Sequence, residues 1–223
     1  MLQEALRAGW DIEAVILAER RAAEAQRFAP HPTYLAEAAQ FRQLTQQPSP
    51  EGVLAVLPFP PRASWNLPPE ASLPPGPGFI LEDIQDPGNL GTLIRTADWL
   101  GFRAVVCSKG SVDVLNPKVL RSTMGSFFRM PVYYRPDLAA DLELLIPHCW
   151  AADMEGIPLP EAPFGPQDYV VIGNEARGLS EQLRQLPGLR RLHIPGRGGA
   201  ESLNAAMAGA MIGWQLFCSI PKN

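Results

Sequence analysis

Histidine and cysteine are scarce in this chain, with three of each among 223 residues. Cys107, Cys149 and Cys218 lie far apart and form no C-x-x-C, which excludes a disulfide framework and a zinc-ribbon site. His31, His148 and His193 are isolated and lack metal-ligand spacing, so no metal is expected. No apolar run reaches the ~18–20 residues needed to cross a bilayer. The longest candidate, Ala205 to Phe217, consists mainly of small residues. The N-terminus shows no basic patch followed by an apolar stretch, so no export signal is read and a cytosolic location is expected. Three catalytic fingerprints are missing as well. G-x-G-x-x-G and G-x-x-x-x-G-K-[ST] are absent, which counts against dinucleotide and nucleoside-triphosphate binding, and there is no G-x-S-x-G nucleophile turn.

Lysine is also rare. Of 19 cationic residues 16 are Arg, and 23 acidic residues leave a net charge of −4. That balance speaks against a general nucleic-acid binder, whose domains are usually basic. An Arg-rich local patch is still compatible with phosphate binding, because the guanidinium is a planar, two-pronged donor.

Proline, by contrast, is abundant and clustered. Eight of the 24 prolines fall between residues 58 and 77, where fixed φ angles and missing N–H groups predict an extended linker between two domains. Residues 2–57 read as helix, strand (Ile12–Ala18), helix, helix (Thr33–Gln46) and strand (Gly52–Leu57). This unit is near the size at which a core becomes marginal. It opens inside a helix with no preceding strand, and is expected to lean on a partner or the larger domain, or to lack residues at its start.

Beyond the linker, strands are predicted at Gly78–Ile84, Arg103–Ser108, Met130–Tyr134, Cys149–Asp153, Tyr169–Gly173 and Arg191–Ile194. Helices are predicted at Leu90–Leu100, Pro117–Ser126, Asp137–Ile146, Ser180–Gln185 and Glu201–Cys218. The alternation predicts an α/β domain whose mostly parallel sheet carries helices on both faces.

In open α/β sheets, ligands bind beyond the carboxyl ends of the strands. Three loops there carry turn and hydrogen-bonding chemistry. The first, 82–91, contains Asp86-Pro87-Gly88-Asn89 and leads into a helix bearing Arg95 opposite its apolar stripe. A capping Asn and a solvated Arg would account for this segment by itself. The second, 172–180, places Glu175 between Gly173 and Gly178. An exposed Glu on a strand-to-helix turn would be equally ordinary. The third, 194–204, runs from Ile194-Pro195 through three glycines to Ser202-Leu203-Asn204. Such a loop at a helix N-terminus can offer free N–H groups to a ligand, while Ser202 and Asn204 could simply be caps.

In this order the three loops resemble the signature motifs of the SpoU (TrmH) family of SPOUT RNA methyltransferases. Asp86, Pro87, Asn89, Gly91 and Arg95 match D-P-x-N-x-G-x-x-x-R; Gly173, Glu175 and Gly178 match G-x-E-x-x-G. Ile194, Pro195, Ser202, Leu203 and Asn204 match I-P…S-L-N, and Arg121–Ser126 before Pro131 also looks like the family. The likeness spans about residues 79–217. It implies S-adenosyl-L-methionine-dependent methylation of a ribose 2′-hydroxyl in structured RNA, with ribosomal RNA favoured over transfer RNA because a small domain precedes the catalytic one. It also implies a C-terminal trefoil knot and a homodimer with the active site near its interface. The cofactor would sit among Gly173, Glu175, Gly178, Ile194, Pro195 and Leu203, largely on backbone groups. Asn89, Arg95, Glu175, Ser202 and Asn204 would be the catalytic set. More loosely, residues 1–57 are similar to the family's L30e-like substrate-binding domain, shortened at the N-terminus, which leaves 58–77 as linker and 78–223 as the methyltransferase domain.

Methyl transfer needs alignment and removal of the hydroxyl proton. The family's Arg is often described as the base, but a guanidinium of pKa above ~12 is a poor acceptor. Arg95 is better read as gripping a phosphate, with that phosphate or a water taking the proton. Two other classes compete with this reading: an RNA-binding or assembly factor without catalysis, and an α/β oxidoreductase, which lacks its glycine fingerprint.

Overall fold

The computed structural model describes residues 1–45, 47, 49–58 and 73–221. The chain divides into two compact units, Met1–Pro61 and Arg62–Asn223. The predicted linker over 58–77 lies mostly outside the described residues.

In the first unit, α1 (Leu2–Arg7) precedes β1 (Ala14–Ala18), a run of 3-10 turns (Glu19–Phe28), β2 (Thr33–Ala36), α2 (Ala38–Leu44) and β3 (Val53–Val56). The sheet order is β2-β1-β3, with β1 parallel to β2 and antiparallel to β3. Two expectations are corrected here. The helix predicted at Thr33–Gln46 is a strand followed by a short helix. Thr33-Tyr34-Leu35 favours the pleat and pairs with Val15-Ile16-Leu17, and a capping box between Glu37 and Gln40 starts α2 only afterwards. The helix predicted between β1 and residue 33 is 3-10, and none of its residues is buried, so no apolar stripe holds it in a regular α-helix. Ala18, Ala36 and Phe41 pack together as the unit's small core.

The second unit carries six strands: β4 (Gly78–Leu81), β5 (Ala104–Ser108), β6 (Val132–Arg135), β7 (Cys149–Pro158), β8 (Tyr169–Ile172) and β9 (Arg190–His193). Their order is β6-β5-β4-β8-β7-β9, and all five pairings are parallel. Helices α3 (Pro87–Trp99), α4 (Pro117–Ser122), α5 (Leu138–Leu145), α6 (Glu181–Arg184) and α7 (Ala205–Ser219) connect or follow them. On one face, Ile80, Val106, Ala151 and Val171 pack with Leu138 and Leu142 of α5 and Leu183 of α6. On the other, a side chain added at Gly209 or Gly213 of α7 would strike Leu93 of α3 and Phe79 of β4. The sheet is therefore covered on both sides, and each fully buried Leu or Ile contributes roughly 1.5–3 kcal/mol.

Side-chain caps set the helix starts. Asp86, Asn116, Asp137, Ser180 and Asn204 accept backbone N–H groups at the starts of α3, α4, α5, α6 and α7 respectively. Hence α7 begins at Ala205 and not at the predicted Glu201, and Asp86, not Asn89, caps α3. Strand β4 stops at Leu81 because Asp83 turns the backbone to φ 52°. The helix predicted over Pro117–Ser126 breaks after Ser122, where Met124 (φ 50°) and Gly125 (φ 98°) are left-handed before a 3-10 turn at Ser126–Phe128. Strand β7 runs on to Pro158 through a register shift against β9 between Ala152 and Ile157. Among the described residues no helix is long and apolar enough to cross a membrane, and no cluster of His, Cys, Asp or Glu is arranged to hold a metal.

The end of β6 is tied to α5 by a buried ion pair, Arg135 with Asp141. Arg135→Ala would strand the carboxylate in the core. Urea unfolding should show a loss of about 3–5 kcal/mol, and the apolar double variant R135M/D141L should recover most of it.

Candidate active site

The strand order brings β4 and β8 side by side, so the loops that leave their carboxyl ends meet. Glu175, in the loop after β8, accepts N–H groups from Gln85 (3.2 Å) and Asp86 (3.1 Å) and the side-chain amide of Asn89 (3.0 Å), all from the loop after β4 and the first turn of α3. The carbonyl oxygen of the Asn89 side chain in turn accepts Asn204 Nδ2 at 2.9 Å. Asn204 Oδ1 is occupied by the N–H groups of Ala206 and Met207, which caps α7. A continuous chain, Asn204–Asn89–Glu175, thus joins all three loops across 115 and 86 residues of sequence separation.

A second set of contacts stiffens the same region. Asn174 donates to the Asp83 carbonyl (2.8 Å) and accepts from the N–H groups of Ala176 and Arg177 (3.1 Å each). Asn174 and Gly178 exchange backbone hydrogen bonds, and Gly178 takes φ 66° to close the turn. Gly173 packs directly under that turn. A Cβ there would lie 2.4 Å from backbone atoms of Gly178 and Leu179, so no larger residue fits. Buried Glu82 accepts the N–H of Ser180 at 2.8 Å. Asp83 keeps its left-handed backbone through Ser108, whose hydroxyl accepts the Asp83 N–H and donates to the Asp83 carboxylate.

Both carboxylates closest to the junction are held ionised. Burial is the largest single influence on Glu175 and opposes ionisation. The donors Asn89, its own N–H, Asp86 and Gln85 together outweigh it and keep the group below the usual range. Asp86 is lowered first by the Asn89 N–H, against desolvation, and then by Lys118, whose Nζ lies 3.4 Å away. Neither group suits the role of general base at neutral pH. Their geometry makes them organisers of the loops.

Among the predicted site residues, the structure brings Asn89, Glu175 and Asn204 into direct contact, with Gly173 and Gly178 forming the turn beneath them. Arg95 lies six residues along α3 from Asn89, exposed, and makes no ion pair or hydrogen bond among the described residues. Ser202 is exposed too, Leu203 is half exposed, and Pro195 faces solvent. The glycines between them, Gly196, Gly198 and Gly199, would meet nothing within 4 Å if given a Cβ. Among the described residues the third loop therefore joins the junction only through Asn204. Sequence reading passed over Glu82, Asn174 and Ser108. Polar residues at the ends of otherwise apolar strands were the available signal.

A parallel α/β sheet with polar loops gathered at the carboxyl ends of adjacent strands defines an enzyme-like class of protein. Comparison with known proteins narrows it. Residues 78–214 match the model of the SpoU rRNA Methylase family, and the chain belongs to that family. It is 33% identical over 186 residues to the 23S rRNA (guanosine(2553)-2′-O)-methyltransferase RlmP of Bacillus subtilis, covering 82% of this chain and 71% of that protein. In structure it is similar to an RNA methyltransferase of the TrmH family from Porphyromonas gingivalis (TM-score 0.81, 27% identity, covering 96% of this chain and 86% of that one). It also resembles the SpoU methyltransferase AviRb of Streptomyces viridochromogenes in complex with AdoMet (TM-score 0.75, 25% identity, covering 97% and 86%).

Glu175→Gln retains the shape of the side chain but removes its charge. We expect a stability loss of about 1 kcal/mol at pH 7, part of the charged hydrogen-bond energy being screened by solvent. Because the folded carboxyl is lowered, its contribution is complete above the unfolded value of about 4.3 and disappears as pH falls through the folded pKa. Urea unfolding of both proteins across pH should show a constant gap at neutral pH that closes in acid.

Proposed function

We infer that this protein methylates a ribose 2′-hydroxyl of ribosomal RNA, using S-adenosyl-L-methionine. The observation that carries this reading is the Asn204–Asn89–Glu175 chain, which draws the three family motifs to one place. The relative from B. subtilis is named for this chemistry on 23S rRNA, and the AviRb structure contains AdoMet.

The residues present fit such a cofactor. The loop at 196–199 offers N–H and C=O groups with open space at its three glycines, and the close-packed turn at Gly173 and Gly178, whose own backbone groups are paired with Asn174, gives a rigid wall beside it. Backbone groups near Gly173, Ile194 and Leu203 would hold it, with Glu175, Gly178 and Pro195 shaping the walls. When bound, it supplies an electrophilic methyl group on a sulfonium.

The chain's own groups then supply alignment. Arg95, exposed and unpaired among the described residues, grips the phosphate next to the target ribose with its planar fork. Its charge also favours developing negative charge on the 2′-oxygen. Asn89 is locked from both sides and keeps the first turn of α3 in place, so that Arg95 is presented at a set height. Ser202, exposed two residues before Asn204, orients the ribose. The proton goes to the Arg-bound phosphate or to water, since Glu175 and Asp86 are held as hydrogen-bonded anions. Positioning of this kind can contribute roughly 7–11 kcal/mol.

Three further features belong to this reading. A homodimer is supported by the outer face of α7, where Met207, Met211, Trp214 and Phe217 form an exposed apolar stripe at helical spacing. A C-terminal knot is supported by the strand order, in which β9 lies beyond β7 while α7 returns to pack on α3. The first unit serves RNA binding; its exposed Tyr34 supplies a stacking surface and Arg20 a positive charge. The enzyme works in the cytoplasm, where its ribosomal RNA lies.

Two experiments test the reading. With labelled S-adenosylmethionine and unmodified ribosomal RNA, the wild type should form 2′-O-methylnucleoside, and Arg95→Ala should reduce kcat/KM at least ~100-fold while cofactor binding by calorimetry persists. Near-normal turnover in that variant would refute the role given to Arg95. Sedimentation should show the wild type at twice the monomer mass, and Trp214→Glu at the monomer mass.

A further inference from the structure

Among the described residues two non-glycine positions have left-handed backbones, Asp83 (φ 52°) and Met124 (φ 50°). The first is accounted for. Asp is tolerant of this conformation, and the Ser108 hydroxyl holds both its N–H and its carboxylate. Met124 has no such account. A Cβ with a long side chain is costly there, and Gly or Asn would hold the same turn at lower energy. Yet 64% of Met124 faces solvent, so its side chain is not seated in the core.

The turn itself is firmly built. The Met124 N–H donates to the Arg121 carbonyl (3.1 Å), Thr123 Oγ1 donates to the Leu120 carbonyl (2.8 Å), and Thr123 and Ser126 are buried on either side. It is also placed beside the candidate active site. Gly91, two residues after Asn89, packs so closely on α4 that its Cβ would meet Ser122 at 2.4 Å. Met124 lies two residues beyond Ser122, within about 7 Å of chain. Arg121, whose carbonyl accepts the Met124 N–H, is exposed and without an ion pair among the described residues.

Strain held in place by well-packed neighbours, with the side chain aimed at solvent, marks a position retained for contact with something outside the chain. We propose that Met124 is a substrate-positioning residue that lays its apolar side chain against the face of a nucleobase at or next to the methylated nucleotide. A flexible, polarisable side chain packs on an aromatic ring of any identity. Contact with the base face holds the nucleotide without reading its hydrogen-bonding edge. This rests on the methyl-transfer reading above and adds a binding determinant to it.

The full chain should be tested as wild type, M124G, M124N and M124L, on an unmodified large-subunit ribosomal RNA transcript. M124G and M124N suit the left-handed turn, so their Tm should equal or exceed that of the wild type, and a loss of function cannot be ascribed to misfolding. For both, KM for RNA should rise about three- to tenfold, with kcat and the Kd for S-adenosylhomocysteine within about twofold. M124L, apolar and of similar volume, should stay near the wild type. Unchanged KM in M124G, a loss in M124L equal to that in M124G, or a change of oligomeric mass in M124G would overturn the assignment. If the wild type methylates no RNA at all, the methyl-transfer reading fails first, and this one with it.

Discussion

Asn89 uses both ends of one amide at the same time, accepting from Asn204 and donating to Glu175, and the organisation of the catalytic unit turns on that saturation. Each partner is committed elsewhere as well. Asn204 caps α7, and Glu175 holds two backbone N–H groups of the loop after β4. Removing any member leaves a donor or acceptor of the others unpaired, which costs more than the bond itself contributes. Loops that are otherwise free to move independently therefore behave as one piece. The chain exists only because the parallel sheet sets β8 against β4, and that adjacency depends in turn on the apolar faces packed beneath α3 and α7.

Rigidity is distributed unevenly around this junction. Below it, Gly173, Asn174 and Gly178 form a turn with no room for a Cβ at Gly173, and Glu82 and Ser108 anchor the neighbouring loops. Above it, a Cβ added at Gly196, Gly198 or Gly199 would meet nothing within 4 Å. One side is held by a network of hydrogen bonds and the other has open space around its glycines. The acidic overall balance is no obstacle. Lys118 and Arg177 are partly neutralised by Asp86 and Asp83, but Arg95 and Arg121 are exposed and make no ion pair among the described residues.

Much of this was legible beforehand because it is local. Apolar runs such as Tyr169–Ile172 can only be buried strands, and Leu90, Leu93, Ile94 and Ala97 can only be one helix face. What misled was local ambiguity resolved by distant partners. Thr33–Ala36 scans acceptably as helix, yet β1 offers a pairing edge and takes it. Pro117–Ser126 scans as one helix, yet the close approach of Ser122 to Gly91 and the left-handed pair at Met124 and Gly125 end it early. Asn89 looks like a cap. Asp86, three residues earlier, performs that task and frees the Asn89 side chain for Glu175.

Residue types and their spacing by themselves determined the class of domain, the strand-and-helix alternation, the three ligand loops and the family they belong to, because each is a property of short segments. The tertiary structure alone decided which of the candidate residues meet. Asn89, Glu175 and Asn204 converge, whereas Arg95 and Ser202 stand free, since contacts across 86 to 115 residues depend on strand order and helix packing. Strand order is a global choice: no segment of the chain encodes its neighbour in the sheet until the whole apolar surface has been buried together.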